Sequence, residues 1–345
     1  MCFANVRVRR ASQTVATALR YNAGMSEFEL IARYFTRPER PLSASVCIGI
    51  GDDCALLKPG SQLQAISTDM LVEGRHFFAD ADPRALGHKS LAVNLSDLAA
   101  MGARPLGFTL ALALPEIAPH WLAQFSAGLF TLADAHDCAL IGGDTTKGPR
   151  TICITVFGEV AGTAALRRDG ARVDDDIWIS GALGDARLAL AERRGELVLD
   201  SSSSSAAIRR MDWPEPRIVL GLGLAGIGHA AIDISDGLAG DLGHILTRSQ
   251  VGATLWLDEL PVGSALKGQS VARQRDYCLN GGDDYELCFT AAAARRADII
   301  AAARDADTRV TRVGRIDRSP GLRLLDGAGQ PVNLTLAPFD HFTSP

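Results

Sequence analysis

The sequence predicts an α/β (α+β) protein organised as two domains, and three observations carry that expectation. The 345 residues exceed what one hydrophobic core usually serves. An apolar fraction of 47% with 22% charged residues places the chain among globular proteins rather than disordered ones. From Ser45 onward, short β-branched or apolar runs alternate with longer segments of helical period.

The elements follow in chain order. Asp82-Pro83 reads as an N-cap with proline at the first helical position, and Gly102 closes that helix. Within it Leu86, Ser90, Val93, Asp97 and Met101 fall on one stripe, which puts Asp97 on the face expected to be buried. A second helix over 119–136 carries Leu122, Phe125, Leu129 and Leu132 on one face. Strands are expected at 138–141, 151–159 and 177–180. Between the last two, 162–176 is charged and contains glycine, so the domain boundary is placed near 162–168. This gives an N-terminal domain over 25–163 and a C-terminal domain over 164–345. The serine run 201–205 reads as a solvated loop inside the second domain. Residues 1–24 carry Arg7, Arg9, Arg10 and Arg20 with no acid before Glu27. A transit-peptide composition is one reading of them. A start at Met25, with an over-extended frame or loose tail before it, is the simpler one.

Charge and composition exclude several classes. With 35 Lys and Arg against 40 Asp and Glu, the net charge is −5, the wrong sign for a broad nucleic-acid binder. Aromatics at 6% are too few for stacking platforms along a single strand. The longest uncharged apolar stretch, 218–232, falls short of the roughly 20 residues of a membrane span and is interrupted by glycines. The seven cysteines include no Cys-x-x-Cys pair and sit mostly in apolar runs such as 45–50 and 151–157. Buried, reduced thiols in a cytoplasmic protein are therefore expected.

The informative chemistry lies in six short segments: 51–53 (GDD), 66–69 (ISTD), 94–98 (NLSDL), 142–146 (GGDTT), 233–237 (DISDG) and 281–286 (GGDDYE). Together they hold the carboxylates of Asp52, Asp53, Asp69, Asp97, Asp144, Asp233, Asp236, Asp283, Asp284 and Glu286, and no lysine or arginine. Most follow an apolar run, which places them at strand ends, where open α/β sheets build sites. Acids at the edge of a core face desolvation and mutual repulsion. Three remedies exist: raised pKa values, lysine or arginine from elsewhere in the chain, or bound cations. Oxygen-only sets of Asp with Ser and Thr hydroxyls suit Mg²⁺ or Mn²⁺, and several such ions imply a polyphosphate that shares them. A single Gly-Asp turn is ordinarily an N-cap or a bend; six in one chain are harder to assign that way.

Competing motifs are weaker. No P-loop pattern is present. Gly221-Leu222-Gly223-Leu224-Ala225-Gly226 matches the dinucleotide fingerprint, yet Pro214 and Pro216 just upstream read as a helix start rather than a strand. No Cys–His or Gly-x-Ser-x-Gly nucleophile arrangement stands out.

Taken with Gly74-Arg75-His76-Phe77 and the closing Phe339-Asp340-His341-Phe342, the order and spacing of these segments resemble the thiamine-monophosphate kinases from about Ser26 to the C-terminus. Single motifs are shared with the wider superfamily of aminoimidazole ribonucleotide synthetase and selenophosphate synthetase. The resemblance implies the two-domain aminoimidazole ribonucleotide synthetase-like fold, whose N-terminal domain contributes to the β-barrel of a homodimer. It implies ATP-dependent phosphorylation of thiamine monophosphate by in-line transfer, with several Mg²⁺ ions. Residue by residue, it implies Asp53, Ser67, Thr68, Asp69, Asp97, Asp144, Asp233 and Asp236 as metal ligands. Gly143, Asp144, Arg168 and Ser235 would contact ATP, and His76, Asp283 and Phe339 would contact thiamine monophosphate. No residue is required as a nucleophile. Asp283 stands where relatives commonly have Glu. The plain structural alternatives are a loop cap for His76, a core position for Phe339 and a surface position for Arg168. A superfamily sibling acting on an amide or selenide, and a nucleotide or cation sensor without turnover, are the rival functions.

Overall fold

A computed structural model of the chain describes residues 26–40, 44–50, 54–58, 60–161 and 164–337. In the first half, α1 (Glu27–Tyr34) is followed by a short antiparallel pair, β1 (Val46–Ile48) and β2 (Leu56–Leu57). Then come β3 (Leu63–Val72), α2 (Pro83–Ala100), β4 (Arg104–Leu114), α3 (Pro119–Ala135), β5 (Ala139–Lys147) and β6 (Thr151–Val160). The second half runs β7 (Asp175–Ser180), α4 (Asp185–Arg193), α5 (Ser201–Asp212), α6 (Ile218–Leu224), β8 (Ala230–Asp233) and α7 (Leu238–Ser249). It ends with β9 (Gly252–Trp256), α8 (Val271–Asn280), β10 (Leu287–Ala292), α9 (Arg296–Asp305), β11 (Val310–Asp317) and β12 (Gly321–Leu325).

Two larger sheets organise these elements. The first has strand order β3-β6-β4-β5, antiparallel except for the parallel β4–β5 pair. The second has order β12-β9-β11-β7-β10-β8, antiparallel except for β12–β9. The alternation of strands and helices in the sequence therefore builds mixed, mainly antiparallel sheets, the α+β form of the expected class.

Helix α2 is the centre of the molecule. Asp82 accepts from the N–H groups of Arg84 and Ala85, at 2.7 and 3.1 Å, and Pro83 occupies the first turn. Of its 18 residues all but Pro83, Arg84, His88 and Asp97 are buried. Such all-round burial is the mark of a helix enclosed by other elements. Its approach to α3 is set by glycine: a Cβ on Gly87 would lie 2.0 Å from the carbonyl oxygen of Phe125, and one on Gly128 1.8 Å from that of Arg84.

The core is shared between the halves because the strands alternate. Trp178, Ala231, Leu287 and Phe289 face the α2 side and join the cluster of Leu91, Leu95, Phe108 and Phe125. Ile177, Ile179, Ile232 and Cys288 face the other way and pack with Leu188, Leu242 and Ile245. The six-stranded sheet is covered on both faces.

Three expectations are corrected. The serine run 201–205 is the first turn and more of α5, not a loop. Asp200 caps it by accepting from the N–H groups of Ser202 and Ser203, both at 3.0 Å, and Ala207 and Met211 bury its inner face. Capping and an apolar stripe override the low helix propensity of serine. Cys47 is exposed rather than buried, while Cys138, Cys278 and Cys288 are buried as expected; the apolar run around Cys47 forms one strand of a small pair with little to pack upon. The segment 138–141 is the start of a longer strand, so Asp144 lies inside β5 and Asp69 inside β3, not beyond their ends.

Candidate active site

The two sheets meet α2 at one place. Strand β3 passes along it from the first sheet, and β8, the edge strand of the second, ends beside it in Asp233. The period of two in β3 then sorts its motif. Ser67 and Asp69 turn to the α2 side. Ser67 donates its hydroxyl hydrogen to Asp97, and the N–H of Asp69 donates to Asn94 Oδ1 at 3.1 Å. Thr68 points to the opposite face, where its hydroxyl lies 2.8 Å from that of Thr155.

Asp69, Asp97 and Asp233 form an acidic centre with no ion pair to a base among the described residues, and the charge of Asp236 acts on it. Burial, then the charges of Asp97 and Asp236, push Asp69 up to about 6. Burial also raises Asp97, partly offset by the Ser67 hydrogen bond and the charge of Arg168. Asp233 is raised well above the carboxylate range by burial first and by Asp97 next. Asp241, pushed up to about 7 chiefly by burial, accepts the N–H groups of Ser235 and Asp236, each at 3.1 Å, and so shapes the 233–237 turn. Gly237 permits that turn at φ +113°.

The 281–286 segment is stitched to this turn. Asp283 N–H donates to Ser235 O at 2.8 Å, Tyr285 N–H to Ile234 O at 2.9 Å, and Ile234 N–H to Glu286 O at 2.8 Å. Asp283 (φ +73°) and Tyr285 (φ +50°) are both left-handed, a conformation that side chains other than glycine adopt at a cost. The three acids of this segment have different partners. Lys89 Nζ lies 2.5 Å from Asp283 Oδ2. Asp284 accepts the Gly184 N–H with both oxygens at 3.0 Å. Glu286 is fully buried between Arg210, Arg217 and the Ser180 hydroxyl. Glu286 is thus satisfied within the fold, whereas Asp284, sharing one N–H between its two oxygens, is pushed well above the carboxylate range by burial.

A cleft of about 460 Å³ opens beside Ser67 and Asp97. Its walls are apolar at Ile66, Leu98 and Met101, and cationic at Arg167, Arg168 and Arg248. Arg167 is held by Asp169 at 2.5 Å, and the Arg168 carbonyl accepts from Ser249 Oγ at 2.9 Å. Apolar walls with cations at one side and repelling carboxylates at the other suit an anionic ligand that brings hard cations with it. Among the described residues, no three or more His, Cys, Asp or Glu side chains already stand at metal-binding spacing. The all-oxygen donor set and the raised acids fit a divalent cation completed by ligand oxygens, rather than a closed protein cage.

The sequence-derived candidates are therefore placed unevenly. Ser67, Asp69, Asp97, Asp233, Ser235, Asp236, Asp283 and Arg168 surround the junction and its cleft. Gly143 and Asp144 lie on β5. Gly143 has φ +148°, and a Cβ there would fall 1.9 Å from Leu110 O. Asp144 is exposed and shares a cross-strand row with Ala111, Cys153 and Met70, the row that, like Thr68, faces away from α2. His76 caps the turn after β3, its Nδ1 accepting the Val72 N–H at 3.0 Å. Asp53 and Phe339 lie outside the described residues. Lys89, Asp241, Arg210 and Arg217 escaped the sequence reading, and Tyr285 stood in the 281–286 segment without an assigned role. Lys89 left a signal in the sequence, as a lysine eight residues before Asp97 on the same helix.

Comparison with known proteins agrees with this construction. Residues 51–160 match the AIR synthase related protein, N-terminal domain family, and residues 173–327 the C-terminal domain family. A thiamine-monophosphate kinase of Escherichia coli O157:H7 is 45% identical over 323 residues, covering 92% of this chain and 99% of that protein. The crystal structure of thiamine-monophosphate kinase from Stenotrophomonas maltophilia K279a superposes with a TM-score of 0.78 at 47% identity, over 82% of this chain and 92% of that one. The structure of AaThiL complexed with AMPPCP and TMP superposes at 0.70 with 31% identity, over 83% and 90%. An acidic junction between two AIR synthase related domains, with this identity over nearly the whole chain, means that the protein belongs to the thiamine-monophosphate kinase family.

Proposed function

We propose that this chain transfers the γ-phosphoryl group of ATP directly to thiamine monophosphate, giving thiamine diphosphate. The observation that carries the reading is the set of mutually repelling carboxylates, Asp69, Asp97 and Asp233, beside an arginine-lined cleft. The kinship with kinases of this name, and the AMPPCP and TMP bound by AaThiL, support it. The acceptor oxygen belongs to a phosphate that is already largely ionised at neutral pH, so no general base is needed. Catalysis then consists of positioning and charge stabilisation.

In this reading Asp53, Ser67, Thr68, Asp69, Asp97, Asp144, Asp233 and Asp236 hold Mg²⁺, with Thr68 and Asp144 acting from the face of the sheet away from α2. Mg²⁺ held by these residues would supply positive charge to the phosphate oxygens. Gly143, Asp144, Arg168 and Ser235 hold the nucleotide. His76, Asp283 and Phe339 hold the acceptor, with His76 Nδ1 also accepting the Val72 N–H. The two domains are taken as 25–163 and 164–345, with one of the two larger sheets in each. A homodimer through the open face of the first sheet accounts for the exposure of Ile66 and Met70. No helix of the described residues is long and apolar enough to cross a membrane, in keeping with a cytoplasmic enzyme.

Steady ADP release that depends on thiamine monophosphate tests the reading. ATP turnover with a different acceptor would move the chain to a superfamily sibling activity. Nucleotide binding without turnover would make it a sensor.

A further inference from the structure

We propose that Lys89 is a substrate-contacting residue, and that the Lys89–Asp283 pair reads the two opposite charges of the acceptor. The ammonium would take a phosphate oxygen, and the carboxylate would face the cationic ring. This rests on the proposed kinase reading and adds a residue to the acceptor site.

Four observations lead there. Lys89 is 7% exposed, and its ammonium lies 2.5 Å from Asp283 Oδ2. A lysine is almost never this buried unless paired, and here the pair joins α2 to the 281–286 segment rather than bracing one element. Second, Tyr285, next but one to Asp283 in the chain, feels the charges of Asp283, Asp69 and Asp233 together, so the pair stands at the edge of the acidic centre. Third, Lys89, Val93 and Asp97 follow one another along a single face of α2. At 1.5 Å per residue, Lys89 sits about 12 Å along the helix from Asp97, the span of a small phosphorylated ligand. Fourth, the charge of Lys89 also acts on Asp212, a half-buried acid close by. When Asp283 turns toward a cationic ring, the ammonium keeps a second counter-charge.

The charge logic is particular to this acceptor. Thiamine monophosphate carries a quaternary thiazolium and a phosphate on one short molecule. A site of carboxylates alone would attract the ring and repel the phosphate. A buried ammonium beside the ring-binding carboxylate offsets that repulsion and gives a charge-assisted hydrogen bond. The left-handed conformations of Asp283 and Tyr285 keep the carboxylate end of the pair in place, a use of local strain found at binding sites.

A double-mutant cycle tests the assignment, using wild type, Lys89→Met, Asp283→Asn and the double variant. Each is followed by thermal melting, by kcat/KM for thiamine monophosphate, by KM for ATP, and by calorimetric binding of thiamine monophosphate and unphosphorylated thiamine. Lys89→Met should lower kcat/KM for thiamine monophosphate by roughly ten- to a hundredfold, with ATP KM and thiamine binding changed far less. Asp283→Asn should weaken both thiamine ligands. The double variant should melt above the single variants, since no buried charge is left unpaired, while its kcat/KM stays low. A double variant that regains wild-type kcat/KM with its melting temperature would make the pair a scaffold and overturn the proposal. So would Lys89→Met raising the KM for ATP as much as that for the acceptor. Wild-type protein that fails to bind thiamine monophosphate would sink the kinase reading itself and this assignment with it. Normal wild-type binding with no response of the cycle would sink this assignment alone.

Discussion

Arg217 grips Glu286 with two parallel hydrogen bonds, Nε to Oε2 at 2.7 Å and Nη2 to Oε1 at 2.6 Å. Arg210 adds a third bond at 2.7 Å, and the carboxylate has no solvent exposure. The arginines come from α5 and the N-cap of α6, so one buried acid ties two helices to the 281–286 segment. Breaking a buried pair from one side leaves the remaining charges stranded, which typically costs about 3–5 kcal/mol. Glu286→Gln should therefore lose stability of that order in chemical denaturation, with activity falling as Asp283 loses its support. A variant as stable as wild type would contradict the arrangement.

Stability of the metal-free protein should rise as pH falls from about 8 toward 4. Asp69, at about 6, and Asp241, at about 7, take up protons in the folded state before an unfolded aspartate does near 3.8. Their stabilising contribution is full below about 3.8 and is lost as pH rises through 6 to 7. The gain is on the order of a few kcal/mol. Below about 4 the trend reverses, because Asp176, held low by Arg296 and Arg312 against the pull of burial, begins to lose its ion pairs. Melting curves across this range in EDTA check the slope, and Asp241→Asn should flatten it.

Asp53→Asn and Asp97→Asn should abolish turnover at ordinary Mg²⁺, since an amide is a neutral, weaker ligand. Asp97→Asn should at the same time leave the metal-free protein as stable as wild type or more so, through relief of repulsion on Asp69 and Asp233. Activity within a few-fold of wild type in either variant would remove it from the ligand set.

His76→Ala should cost roughly ten- to over a hundredfold in kcat/KM for thiamine monophosphate, the loss of one hydrogen bond to a charged group. ATP affinity should move far less. Equal losses toward both substrates would identify the ring as a scaffold for the turn it caps at Val72.

Direct transfer predicts inversion at the γ-phosphorus and no phosphoprotein. Incubation with labelled ATP alone should leave the chain unlabelled, and label that later discharges to thiamine monophosphate would refute the mechanism while leaving the activity intact.

Much of this was written in local pattern. The cap at Asp82-Pro83, the stripe that turns Asp97 inward to a half-buried position, and the acidic segments rely on spacing along a few turns or strands. The partners of those acids rely on residues far apart in the chain, such as Lys89 with Asp283 and Arg217 with Glu286, and no local period encodes such distances. The serine-rich first turn of α5 depended on a cap and on an inner face that had something to pack against.

The sequence by itself determined which residue types were available: oxygen donors in six segments, few cations near them, and a chain sized for two sheets. The tertiary structure decided which acids remain unsatisfied. Strand alternation turned Ser67 and Asp69 inward and Thr68 outward. Distant bases neutralised Asp283 and Glu286, and burial without such a base left Asp69 and Asp233 with raised proton affinity. A carboxylate's chemistry is set by the charges and solvent around it, and those are fixed only when the sheets close on α2.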